Sequence, residues 1–189
     1  MVHDTRSRMI DAAVLALQRR GAAGTSFTEI LQASGAARGA IYHHFPGGKA
    51  QLLAEAAERQ GNDIEAALGE LAPTPSSTPR EVVAAFLAAV APVLAGSADG
   101  GGCAVAAATV DADDAGTPQL RRVADRAFTA WVTALARRLA AAGLPADEAQ
   151  DLATTLVTLL EGAHVLCRAA GSTEPFERVA RTALRLAPA

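Results

Sequence analysis

Residues 26–49 read SFTEILQASGAARGAIYHHFPGGK, and no other part of the chain carries helix-start and helix-stop signals so densely. Ser26 is followed three residues later by Glu29, which predicts a capping box and a helix that begins near Phe27. Gly35 predicts the end of that helix, because glycine adopts the left-handed backbone at little cost. The stretch therefore opens with a short helix and a tight turn.

A second short helix is predicted after the turn, from Arg38 to Phe45, because a Pro-Gly-Gly sequence follows it. Ile41 and Phe45 are four residues apart and are expected to face inward, which leaves Arg38, Tyr42 and His43 outside. Two short helices joined by a tight turn have the layout of a helix-turn-helix, whose second helix enters the major groove of DNA.

The candidate DNA contacts follow from the chemistry of the residues in this stretch. Residues with almost no side chain let the backbone approach base edges. Cations and a phenol reach phosphate oxygens, and imidazoles donate or accept hydrogen bonds at a base or a phosphate. A contact of this kind is expected from Ser26, Thr28, Arg38, Gly39, Ala40, Tyr42, His43, His44 and Lys49.

The segment GAARGAIYHHFPGGKAQL, residues 35–52, resembles the recognition segment of the TetR family of one-component transcriptional regulators. The resemblance covers about the first quarter of the chain closely, and the rest by architecture. It implies an all-α fold of about nine helices, with a helix-turn-helix DNA-binding domain over residues 1–49. Residues 50–189 would form a helical ligand-binding and dimerisation domain.

Two departures from the family pattern occur in this segment. Ala37 stands where the family usually has a Ser or Thr N-cap, a loss that typically costs about 1 kcal/mol. The turn between Phe45 and Lys49 is also one residue longer than the commoner family spacing.

Charge is distributed unevenly along the chain. The net charge is -3, yet residues 1–50 hold six Arg and Lys against three Asp and Glu, a balance of +3, so the remainder carries -6. A basic head on an acidic body is typical of a DNA-binding protein with a separate regulatory domain. Chance fluctuation among 37 charges is the alternative.

The composition favours close-packed helices and a cytoplasmic protein. Hydrophobic residues make up 50% of the chain and aromatic residues only 4%. No apolar run appears long enough to span a bilayer, and the N-terminus, MVHDTRSRM, lacks the apolar core of a signal peptide. No membrane partner is therefore expected.

Helical periodicity and breakers outline the rest of the chain. Within these elements Pro92 is expected to kink its helix, while Gly61 either bends its helix or is silent. The predicted helices cover 5–20, 48–71, a Thr78-capped helix that begins at Pro79, 103–111, 117–143, 146–170 and 173–186, with a linker over 72–79 and a loop over 111–116.

The body helices supply candidate pocket and interface residues. Trp131 borders a ligand cavity or belongs to the core, and His164 donates to a ligand or is a satisfied core histidine. The candidate pocket comprises Phe86, Val90, Cys103, Trp131, Leu159 and His164. The resemblance implies that the last two long helices form a four-helix dimer interface, and the candidates there are Leu152, Leu156, Leu160, Ala163, Val179 and Ala183.

Enzymatic chemistry finds little support in the sequence. Cys103 and Cys167 are single and far apart, which excludes a CxxC zinc site and leaves a buried hydrophobe or a redox sensor as alternatives. His43 and His44 are adjacent, so they point about 100° apart on a helix and do not chelate one metal. No glycine-rich phosphate loop or nucleophile elbow is present. No metal, cofactor or enzymatic activity is expected.

The resulting hypothesis is a homodimeric repressor that binds double-stranded DNA at a palindromic operator. By resemblance, a small and largely apolar effector would release it from DNA. Two alternatives remain open, a helical DNA-bound dimer with no small-molecule inducer and a cysteine-based redox sensor.

Overall fold

A computed structural model describes residues 4–71, 77–110 and 117–188, and its regular structure over those residues is entirely helical. The all-α prediction is confirmed. The nine helices in the described residues are α1 (Thr5–Gly24), α2 (Phe27–Ser34), α3 (Ala40–His44), α4 (Gly48–Glu70), α5 (Pro79–Ala98), α6 (Ala104–Val110), α7 (Thr117–Ala141), α8 (Ala146–Ala170) and α9 (Glu174–Leu186).

Most helix ends lie where caps and breakers predict them. Ser26 accepts a hydrogen bond from the backbone N–H of Glu29, and Gly35 ends α2 with φ of 65°. Thr78 and Glu81 form a complete capping box with Pro79 in the first turn. These contacts satisfy backbone groups that a helix end leaves without partners. Residues 72–76 of the predicted linker and the predicted loop over 111–116 lie outside the described residues.

Two details of the helix-turn-helix differ from the prediction. Helix α3 begins at Ala40 and not at Arg38, and its start has no side-chain cap. The missing cap at Ala37 explains the later start, because nothing there satisfies the first amides of a longer helix. The capping box at Ser26 is also only half formed, since the Glu29 carboxylate instead lies 3.2 Å from Arg20 Nε.

The chain forms two compact units, and we describe each separately. Unit 1 comprises Met1–Asn62 and Cys103–Ala127, and unit 2 comprises Asp63–Gly102 and Phe128–Ala189. Helices α4 and α7 contribute to both units. The units are defined by packing, so the functional boundary expected between residues 49 and 50 stays a prediction.

In unit 1, α1 packs against α2 and α6. The first part of α4 contributes three fully buried residues, Leu52, Ala56 and Ala57. Gly21 interrupts the helical dihedrals of α1 with φ of 72° and ψ of 179°, near the predicted end of this helix. Helix α1 supplies most of its apolar stripe to the core through Met9, Ile10, Ala13 and Leu17.

Gly61 has a packing role that the sequence left undecided. A Cβ atom at this position would lie 2.9 Å from the Cβ atom of Ala127 and 4.0 Å from Val105 Cγ2. Real Cβ atoms do not approach so closely, so glycine is required where α4 passes α7 in unit 1.

In unit 2, α5, α8 and α9 pack against one another. Trp131 is fully buried, and its ring meets Phe128 edge to face with ring centroids 5.1 Å apart. Helix α5 continues through Pro92. The largest fully buried side chains of this unit are Trp131, Phe86, Leu94, Leu135, Leu139, Leu156 and Val83.

The prediction that no apolar run is long enough to span a bilayer needs a correction. Helices α5 and α8 are both long and apolar enough to cross a membrane by length and composition. The core helices of globular proteins pass the same test, and these two pack with each other and with α9. Their length therefore carries no information about a membrane.

Candidate nucleic-acid interface

Helix α3 presents small and polar groups to solvent over a buried apolar base. Ile41 is 3% exposed and Phe45 is fully buried, whereas Tyr42 is 74% exposed. Arg38 and His43 are also exposed. The Tyr42 ring therefore contributes little to the core and is accessible to a binding partner.

The approach side of α3 is open. Nothing lies within 4 Å of the position that a Cβ atom of Gly39 would take, and the next residue, Ala40, is half-buried. Arg38 forms no hydrogen bond or ion pair with any residue that the structure describes. The backbone of Gly39, the Arg38 guanidinium and the Tyr42 phenol are therefore all accessible on one short segment.

The remaining candidate contacts lie at the two edges of this segment. Ser26 and Thr28 are exposed at the start of α2, although the Ser26 hydroxyl already caps that helix. His44 is half-buried, with its ring centroid 4.9 Å from that of His43. The Lys49 ammonium lies 3.5 Å from the carbonyl oxygen of Ala23, so it would have to turn to reach a phosphate.

Several cations of the basic head are held inside unit 1. Arg8 Nε donates to the carbonyl oxygen of Ser34 at 3.0 Å, and Arg20 pairs with Glu29. Arg6 pairs with Glu55 of α4. At least three of the six cations counted in residues 1–50 thus have partners within unit 1.

Two family profiles match this chain. The profile described as bacterial regulatory proteins of the tetR family matches residues 9–56. The profile described as the C-terminal domain of LmrA/YxaF-like transcriptional regulators matches residues 79–182, which is more than half of the chain. The chain belongs to the TetR family. It is therefore a DNA-binding transcriptional regulator.

Individual TetR-type proteins agree with this assignment. An uncharacterized HTH-type transcriptional regulator of Mycobacterium tuberculosis is 35% identical over 180 residues, which are 93% of this chain and 90% of the relative. The crystal structure of a TetR regulator from Legionella pneumophila has a TM-score of 0.85 at 21% identity, covering 99% of both chains. A cysteine mutant of the TetR regulator CifR, solved in complex with 26-bp double-strand operator DNA, has a TM-score of 0.74 at 22% identity. It covers 100% of this chain and 98% of CifR.

The candidate pocket residues do not come together as one group. Phe86, Val90 and Leu159 line an apolar crevice in unit 2, together with residues of α9. Trp131 and His164 are buried in unit 2 but are not part of its lining, and Cys103 belongs to unit 1. The crevice has a cavity volume of about 10 Å³, close to the minimum that one water molecule requires.

His164 forms a buried polar pair with Ser97. Its Nδ1 lies 2.6 Å from the Ser97 hydroxyl oxygen, which joins α8 to the end of α5. Burial lowers the pKa of His164 below its ordinary value of 6.5, because desolvation disfavours the imidazolium. The pair accounts for His164 as a core histidine.

This lowered pKa predicts a pH-dependent stability. The unfolded chain takes up a proton near pH 6.5, whereas the folded chain takes it up only at lower pH. The contribution of His164 to the free energy of unfolding should therefore be complete above pH 6.5 and fall below it, by at most about 1.4 kcal/mol per pH unit. Urea unfolding at several pH values measures it. The slope should become shallower in His164→Asn but not in His43→Asn, and an unchanged slope in His164→Asn would contradict the assignment.

The six dimer-interface candidates divide by their burial within the protomer. Leu156, Leu160, Ala163 and Ala183 are at most 8% exposed, so most of their side-chain surface packs inside the protomer. Leu152 and Val179 are half-buried, and the role of all six residues in an interface stays a prediction. The opposite side of α8 is exposed, and we call it the α8 stripe: Thr155, Thr158, Gly162, Val165, Leu166 and Ala169.

No group of three or more His, Cys, Asp or Glu side chains suited to a metal ion occurs in the described ranges. Cys103 is 8% exposed and its sulfur accepts the backbone N–H of Ala106 at 3.3 Å, while Cys167 is fully buried. Both cysteines are thus poorly accessible to an oxidant in this conformation.

Proposed function

We propose that the protein is a repressor that binds a palindromic operator through α3 and leaves it when a small, largely apolar effector binds unit 2. The observation that carries the DNA-binding part is the outward display of Arg38, Gly39, Tyr42 and His43 above the buried Ile41 and Phe45. Helix α3 would lie in the major groove, with its small residues against base edges. The operator complex of CifR supports this role for the shared fold.

The proposed DNA-bound form is a homodimer. One short helix contacts only a few base pairs, whereas two related by a two-fold axis read half-sites about 34–36 Å apart, or a multiple of that distance. The α8 stripe supports dimerisation, because it is exposed yet contains no charged residue. Nothing lies within 4 Å of a Cβ atom built on Gly162, so a second helix can approach closely there.

The proposed effector would bind in unit 2 near the apolar crevice between α5, α8 and α9. To release DNA, it must bind the DNA-incompetent conformation more tightly, with a coupling of about 1–3 kcal/mol in a typical allosteric protein. Operator binding also places the proposed site of action in the cytoplasm, where the chromosome lies.

The small volume of the crevice favours a second candidate, a DNA-bound dimer without an inducer. A thermal-shift screen with hydrophobic aromatic compounds separates the two candidates. Stabilisation by a compound that also weakens DNA binding supports the regulated repressor. Absence of any shift supports the inducer-free dimer.

The DNA-contact residues can be tested with Tyr42→Phe and Lys49→Ala. Both are expected to weaken binding to all sequences about equally, because phosphate contacts carry no sequence information. The salt dependence of binding should also flatten in Lys49→Ala, by a slope of about 1 for one lost phosphate contact. Fluorescence anisotropy with a duplex selected from genomic fragments measures both effects.

Arg181→Ala is the matched control, because it removes an exposed cation from α9 of unit 2. It should leave affinity and salt slope unchanged. Wild-type affinity in both Tyr42→Phe and Lys49→Ala would remove these two residues from the interface.

A further inference from the structure

A chain of side-chain contacts in unit 1 links the start of α1 to the turn that follows α3. Arg6 Nη2 pairs with Glu55 Oε2 at 2.5 Å. Gln51 Nε2 donates to the other carboxylate oxygen of Glu55 at 3.0 Å. The backbone N–H of Gly47 in turn donates to Gln51 Oε1 at 2.8 Å. We call these four residues, Arg6, Glu55, Gln51 and Gly47, the turn clamp.

The geometry of the turn clamp is specific. Each carboxylate oxygen of Glu55 has its own partner, and the Glu55 side chain is only 23% exposed. A Cβ atom at position 47 would lie 3.1 Å from both Cβ and Oε1 of Gln51, so glycine leaves the room that this hydrogen bond needs. The Arg6 guanidinium also lies 5.3 Å from the ring centroid of Phe45, a cation–π distance.

Helix α3 depends on such an anchor. It has only five residues and no side-chain cap at its start, and a helix of that length is not stable by itself in water. Its other end is His44, which is followed by the C-cap residue Phe45 and by the Pro-Gly-Gly turn that leads to α4. The turn clamp holds this end against α1 and α4, and it does so across a turn that is one residue longer than the commoner family spacing.

We propose that Glu55 and Gln51 are positioning residues for the recognition of DNA sequence. They do not touch DNA, but they fix the direction in which α3 presents Gly39 and Ala40 to the base edges of the groove. The effect should appear as lost discrimination between sequences, since base contacts require closer alignment than phosphate contacts. The inference rests on the proposed function, in which α3 is the helix that contacts the bases.

The test compares two probes, a duplex selected by the wild-type protein from a random-sequence pool and an unrelated duplex of equal length. Glu55→Gln removes the ion pair while keeping the size of the side chain and an oxygen for Gln51. We expect its affinity for the selected duplex to fall about 3- to 10-fold, with unchanged affinity for the unrelated duplex. Arg6→Gln should show at least this loss, because it removes the same ion pair and also the cation–π contact with Phe45. The double variant should lose no more than Arg6→Gln alone.

The chain offers a matched control in a second ion pair between α1 and α4. Arg59 Nη1 lies 3.3 Å from Asp11 Oδ1, and within the described residues neither side chain forms a hydrogen bond or an ion pair with a member of the turn clamp. Asp11→Asn should leave the ratio of the two affinities unchanged, with a thermal midpoint close to that of Glu55→Gln.

Three results would overturn the positioning role. They are an unchanged affinity ratio in Glu55→Gln, an equal loss on both duplexes, and an equally large loss of discrimination in Asp11→Asn. If the wild-type protein selected no sequence from the pool, the proposed function itself would fail, and the positioning role with it.

Discussion

Phe45→Ala is expected to lower the free energy of unfolding by about 3–5 kcal/mol, the usual cost of truncating a buried aromatic residue. Phe45 is fully buried at the end of α3, beneath the Arg6 guanidinium. Its removal leaves a cavity under a helix that has no cap of its own. For a chain of this size the loss corresponds to a thermal midpoint lower by about 6–20 °C. Operator affinity should fall as well, in proportion to the fraction of protein whose unit 1 is folded.

Tyr42→Ala provides the contrast. Tyr42 lies three residues away on the same helix but is 74% exposed, so its removal should change the free energy of unfolding by less than about 0.5 kcal/mol. Its effect should appear only in DNA affinity. Urea unfolding and anisotropy on both variants separate the two roles. A Phe45→Ala protein as stable as the wild type would contradict the burial of Phe45. An unstable Tyr42→Ala protein would contradict the exposure of Tyr42.

Leu166→Glu is expected to convert the proposed dimer into a monomer and to weaken operator binding about 10²- to 10⁴-fold, because the gain from linked half-sites is lost. Leu166 lies on the α8 stripe and is 54% exposed in the protomer. A carboxylate there would be buried without a partner in each copy of a two-fold interface. Sedimentation equilibrium gives the oligomeric state, and anisotropy gives the affinity.

Leu15→Glu is the matched control, because Leu15 has the same exposure of 54% on α1 in unit 1. The fold of the protomer should survive both changes, since neither side chain is in the core. A Leu166→Glu protein that stays dimeric would exclude the α8 stripe as the interface.

Helix ends were predictable because single residues dictate them. Ser26, Gly35, Thr78 and Gly143 each lie at an end of a helix, where a cap or a positive φ is required. The start of α3 is not predictable in the same way, because Ala37 supplies no cap and no other residue near position 38 marks the start of a helix. Glu29 shows a similar limit, since its spacing from Ser26 does not reveal that Arg20 of the preceding helix competes for the carboxylate.

The candidate sites also differ in how far the sequence alone could predict them. The candidate DNA-contact residues lie within one short segment, so their spacing predicts which of them are exposed together. The pocket and interface residues come from separate helices, and a period of 3.6 residues identifies an apolar face without telling which neighbour covers it. On α8 that face packs inside the protomer, and the turn clamp joins residues 49 positions apart, from Arg6 to Glu55.

The protein contains one tyrosine and one tryptophan, and the fold separates them. Tyr42 lies on the solvent side of α3 in unit 1, and Trp131 lies in the interior of unit 2. Phenol and indole absorb and emit at different wavelengths, so each unit has a natural optical reporter. Chemical nitration thus reports on the exposed phenol of unit 1, and the indole emission of the unmodified protein reports on the interior of unit 2, with no label attached.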